Sequence, residues 1–141
     1  MSKNPYQYNA VSYGIEVQVR PFYAKELSDP FSHKYIYMYT VKITNKSEDS
    51  VKVVNRKWHI IEEDGTHSVI GGEGVVGQTP ILSAKTGMFE YTSQAILYNK
   101  SGIMYGEYSC KKIDKNGEII NIKIPPFSLD SNIDFFKSIQ A

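Results

Sequence analysis

The chain has 141 residues, a length that suits one domain with its own core. Its 16 basic and 15 acidic residues leave a net charge of +1, without the basic footprint of a general nucleic-acid binder. No run approaches the roughly 20 apolar residues that cross a bilayer, and residues 1–10 are polar and Tyr-rich with no signal-peptide core, so neither a membrane nor export is expected. Cys110 is the single cysteine, so no internal disulfide supports the fold, and a reducing, cytoplasmic setting is expected.

Hydrophobicity alternates with period two along nearly the whole chain, the signature of half-buried strands. Residues 1–12 read as a flexible N-terminal segment, 13–130 as the domain and 131–141 as a tail. Ile15, Val17 and Val19 share one strand face, and Pro21 marks an edge or a bulge. Tyr35, Tyr37, Tyr39, Val41 and Ile43 form the clearest apolar face. The next strand, 51–61, slips phase between Val53 and Val54, which predicts a β-bulge. Asp64-Gly65 predicts a hairpin. Residues 71–83 read as a long Gly-rich loop, 87–93 and 103–113 as strands, and Asn116-Gly117 as the turn into 118–124. Pro125-Pro126 is expected to end regular pairing. Leu129, Ile133 and Phe136 have helical spacing, so a short helix over 132–139 is expected in the tail. Seven to eight antiparallel strands with recurrent turns predict an all-β sandwich or barrel.

Gly72-Glu73-Gly74-Val75-Val76-Gly77 is a literal G-x-G-x-x-G. A dinucleotide site needs a helix after the third glycine, whose N-terminal amides hold pyrophosphate. Val75-Val76 and then Pro80 oppose a helix there, and Glu90 falls in a strand. The loop therefore reads as a crossing between sheets, with a second reading as an anion nest of backbone N–H groups. His59 and His67 flank the hairpin and could face each other, with Glu63 nearby; this reads as a surface pair before a metal site. Ser93, Ser109 and Cys110 lack any nucleophile signature, so no catalytic residue and no cofactor is expected. Arg56 and Trp58 share a strand face. A buried Trp58 would anchor the core, and an exposed one would form a binding surface with Arg56.

Several stretches together resemble the ApaG family: Tyr35 through Asn45, Arg56-Lys57-Trp58, Gly72 to Gly77 with Pro80, Tyr91-Thr92-Ser93, Met104 through Tyr108, and Ile124-Pro125 with Phe127. The resemblance implies an immunoglobulin-like or fibronectin type III-like sandwich. It also implies protein contacts, because in eukaryotes the domain sits beside an F-box and in a polymerase-delta-interacting protein. In bacteria the family is associated with cobalt resistance and magnesium efflux, without established chemistry. The expectation is a non-catalytic module that binds a protein partner, or alternatively phosphate, pyrophosphate or a nucleotide at the glycine loop. The expected site comprises Gly72, Glu73, Gly74, Val75, Val76, Gly77 and Gln78, with Arg56, Thr92 and Ser93 nearby. An exposed sheet edge leaves a homo-oligomer open.

Overall fold

The computed structural model describes residues 6–131, so the helix expected over 132–139 lies outside the described residues. Nine strands follow in chain order: β1 (Tyr8–Ser12), β2 (Ile15–Tyr23), β3 (Tyr35–Asn45), β4 (Val51–Glu62), β5 (His67–Glu73), β6 (Ile81–Leu82), β7 (Met88–Leu97), β8 (Ser101–Lys112) and β9 (Ile119–Asp130). Two antiparallel sheets form a sandwich. The first runs β1-β2-β3-β7 and the second β5-β4-β8-β9, with β6 paired to the start of β4.

Alternation places the apolar set between the sheets. Val17, Val41 and Ile43 from the first sheet meet Val53, Ile122 and Leu129 from the second, all fully buried. Trp58 is 3% exposed and bridges the two layers. Its ring lies 5.2 Å from Tyr39, 5.9 Å from Phe127 and 6.4 Å from Tyr108, the latter two edge-on. Such edge-to-face packing is the favoured arrangement for aromatic quadrupoles. Tyr91 and Tyr108 join their hydroxyls by a hydrogen bond inside this core, and Cys110 is buried beside them.

The bulge expected in β4 is present. Val53 faces Cys110 and Asn55 faces Ser109, leaving Val54 as the extra residue. Asp64-Gly65 turns the β4–β5 hairpin, and Asn116-Gly117, both at positive φ, turns β8 into β9. Pro21 lies past the end of β1, on the side of β2 where no neighbour needs its missing N–H.

Four expectations change. Residues 8–12, expected in a flexible segment, form β1 against β2. Residues 71–73, expected in a loop, complete β5: Gly71 and Gly72 pair with Lys57 and Arg56. Pairing continues beyond Pro125-Pro126 to Asp130. The two prolines sit in a bulge opposite Tyr105, where a ladder bond is already absent. With β1 and the two-residue β6, the strand number is nine where seven to eight were expected.

Gly106, at that same bulge, lets strands β8 and β4 close up. A Cβ there would overlap the Lys57 carbonyl oxygen. The Gly106→Ala variant is therefore expected to lose about 1–3 kcal/mol of stability in urea unfolding, the range for overpacking. A variant of unchanged stability would show that the backbone yields at no cost.

Burial sets the alkaline limit of the fold. It pushes the Tyr91 and Tyr108 hydroxyls above their ordinary value of 10.0 and the Cys110 thiol up to about 12. The unfolded chain ionises its tyrosines near 10, so both hydroxyls favour folding below that pH. Their contribution drains away as pH rises from 10 toward the folded-state values. Melting temperature should stay flat on this account from neutral pH to about 9, where the unfolded Cys110 thiol begins to ionise, and fall more steeply above 10 as the two tyrosines follow. Cys110 should resist a disulfide reagent at pH 8 until denaturant is added; rapid labelling of the native chain would contradict its burial.

Candidate functional site

The glycine motif divides into a strand end and a turn. Gly72 and Glu73 close β5, and Gly74 through Gln78 reverse the chain. Val75 N–H donates to the Gln78 carbonyl at 2.7 Å, and Gln78 N–H returns to the Val75 carbonyl at 2.9 Å. Val76 and Gly77 between them both take positive φ, 43° and 78°, as a type I′ turn requires. Gly74 N–H donates to the Val54 carbonyl at 2.7 Å. Three of the amides that an anion nest would offer are thus already bonded to protein carbonyls. The chain leaves Gln78 extended toward β6, with no helical turn after Gly77.

The glycines serve close packing instead. A Cβ on Gly74 would overlap the Gln78 carbonyl, and one on Gly72 would stand 2.9–3.0 Å from the Arg56 guanidinium. Arg56 lies along the space this leaves. Its Nη1 donates to the carbonyls of Glu73 at 3.1 Å and Gly74 at 3.0 Å. The arginine clamps the turn by its acceptors, the opposite polarity from a phosphate cradle.

The inward positions of β4 are 56, 58, 60 and 62, and they run along the floor of a cavity of about 360 Å³. This cavity opens where β7, the edge of the first sheet, parts from β5, the edge of the second. Its width follows from residue size. Ser93 and Ala95 are the small inward residues in the middle of β7, between Tyr91 and Leu97. Trp58 and Ile60 form the floor, and Ile70 of β5 lines the far wall at 48% exposure. A half-exposed inward isoleucine marks a stretch of sandwich interior that the opposite sheet leaves uncovered.

The two ends differ in charge. Arg56 stands at one, where Tyr39 bonds the Ser93 side chain and its hydroxyl is raised, chiefly by burial. Glu62 stands at the other, 5% exposed. Its Oε1 accepts from Tyr98 N–H at 2.7 Å, Asn99 N–H at 2.9 Å and Asn99 Nδ2 at 3.0 Å. The carboxylate thereby fixes the β7–β8 turn at the cavity mouth.

Of the residues expected at the site, the structure joins Arg56 to Gly72, Glu73 and Gly74, and places Ser93 beside Arg56 in the cavity wall. Val75 is buried under the turn, while Val76 projects from its tip. The Thr92 side chain is not part of it; its hydroxyl meets Thr40 at 2.8 Å on the outer face of the first sheet. Trp58 resolves as the core anchor, not as an exposed residue, and its ring also lines the cavity. Ile70 and Ala95 were not singled out from sequence. The acidic run Glu62-Glu63-Asp64 reads from sequence as solvated turn residues, whereas the period-two register from Arg56 was the available signal that Glu62 faces inward.

His59 and His67 do face each other across the hairpin, with Nδ1 and Nε2 3.0 Å apart, and His59 stacks on Tyr105 at 4.7 Å. They lie on the outer face of the second sheet. Among the described residues no group of three His, Cys, Asp or Glu is placed to hold a metal ion. The cavity lining holds the hydroxyls of Ser68 and Ser93 and the Glu62 carboxylate, with no histidine or lysine among its residues. No helix among the described residues is long and apolar enough to cross a membrane.

The family model for the ApaG domain matches residues 25–112. Protein ApaG of Agrobacterium fabrum is 44% identical over 124 residues, covering 88% of this chain and 93% of that protein. Protein ApaG of Sinorhizobium fredii is 42% identical with the same coverage. Among solved structures, the putative ApaA protein from Bordetella pertussis matches with a TM-score of 0.77 at 35% identity, over 89% of this chain and 97% of that one. The C-terminal domain of wzt shares only the fold, with a TM-score of 0.52 at 10% identity over 91% of this chain and 81% of that one. By these likenesses the chain belongs to the ApaG family.

Proposed function

We propose that this chain is a non-catalytic binding module whose partner is a protein, held at the Trp58 cavity and the adjoining glycine turn. The observation that carries the reading is the uncovered inward face of Ile70, beside the buried Trp58 ring, between two sheet edges. Partly apolar concave surfaces with a few fixed polar groups are where binding energy concentrates. In support, the lining holds no histidine, lysine or cysteine beside its serines, and three amides of the turn are bonded internally. The family's association with cobalt and magnesium then enters through the partner. The cytoplasm, with its reduced thiols, is the compartment we assign.

A photoreactive benzoylphenylalanine placed at Ile70 or Val76 in living cells should yield a discrete protein adduct. The same group at Asn121, on the outer face of β9, should not. Equal labelling from all three positions, or none from the first two, would reject the site.

Pyrophosphate, ATP and inorganic phosphate at millimolar concentration should leave the melting temperature unchanged. A native-state site occupied at 100 times its Kd would add about 2.7 kcal/mol. A rise of several degrees, abolished by Gly77→Ala, would instead favour the anion reading.

A further inference from the structure

We infer that the partner docks as an extended peptide, added as a new strand to the open edge of β7 with alternate side chains in the Trp58 cavity. The inference rests on the site proposed above and names the form its partner takes.

Sheet edges invite pairing, and proteins blunt the ones they do not use. The β9 edge is blunted by Lys123, by Pro125-Pro126 and by a bulge. The β1 edge is only five residues long. On β7, residues 91–97 carry no charge, no proline and no register break against β3. A long, regular, undefended edge beside an apolar cavity fits a receiving edge.

The ladder identifies the groups on offer. Asn45 N–H donates to the Gly87 carbonyl, so hydrogen-bonded pairs with β3 fall on odd residues of β7. The N–H and C=O groups of Thr92, Gln94 and Ile96 therefore point to the open side. No other strand pairs there among the described residues. A strand added on that side lies over β5 and covers Ile70.

The cavity then selects the side chains. A partner residue opposite Ala95 points inward over Trp58 and Ile70, which suits a bulky aliphatic or aromatic group. The alternate residue, opposite Ser93, approaches Arg56. That guanidinium bonds the turn through Nη1 alone, and its Nε and Nη2 have no acceptor among the described residues. They suit a carboxylate. The ligand class is an extended segment with a bulky apolar residue and an acidic residue at positions i and i+2, in either direction.

Gln94→Pro isolates the claim. It removes an outward N–H that β3 does not use, at an edge position where proline is tolerated. The test selects from a displayed library of random twelve-residue peptides on the full-length chain, then titrates a synthetic copy of the enriched sequence. We expect the alternating apolar–acidic pattern and slowed hydrogen exchange at Thr92, Gln94 and Ile96. Gln94→Pro should weaken binding at least tenfold with the melting temperature nearly unchanged, and Arg56→Gln should weaken it separately.

Selection of no peptide would overturn the inference. So would exchange protection of those three amides in the free chain, whether from residues 132–141 or from a second copy. Binding that responds to Ile70→Ser and Arg56→Gln but not to Gln94→Pro would reject strand addition while leaving the proposed site intact.

Discussion

The packing of Trp58 between the sheets governs most of what this molecule presents to solvent. The indole meets Tyr39, Tyr108 and Phe127, so a single side chain ties β4 to strands of both layers. Because β4 is central in the second sheet, its inward residues must serve the core along most of their length. At Arg56 and Glu62 the same register runs out from beneath the first sheet. There the strand offers a guanidinium and a carboxylate in place of apolar bulk. The cavity is the continuation of the core past the point where the opposite sheet stops covering it.

The glycine motif shows how a pattern can be satisfied by unrelated physics. In a dinucleotide site, glycines free backbone amides for an anion. Here they free space: Gly72 for a guanidinium plate, Gly74 for the returning Gln78 carbonyl, and Gly77 for a left-handed turn residue. Three of the donors that a phosphate site would use, the amides of Gly74, Val75 and Gln78, are bonded to protein carbonyls, and the arginine addresses carbonyls as well.

Much of the fold was legible because strand periodicity, turn residues and the Val53–Val54 phase slip are local signals that tertiary context did not override. Errors came where local and tertiary signals diverge. Gly71 and Gly72 look like loop residues but lie in β5, because a neighbouring strand supplies the order that their own propensity lacks. Pro125-Pro126 looks like a stop, yet a bulge absorbs both prolines and Phe127 and Leu129 are buried beyond it. The site was legible only in part. Arg56 and Ser93 carried a signal through their neighbours, whereas Ile70 and Ala95 matter for what fails to cover them. That is a property of two sheet edges diverging in space, which no stretch of chain encodes alone.

The arrangement of edges also governs self-association. The open margins of β7 and β5 lie on the same flank of the sandwich, while the opposite flank ends in a short strand and a proline-bearing one. Indefinite stacking needs two sticky flanks pointing away from each other. With both on one side, copies that met through them would cover both margins at the first encounter, and the short and proline-bearing strands of the far flank would offer little to a third copy.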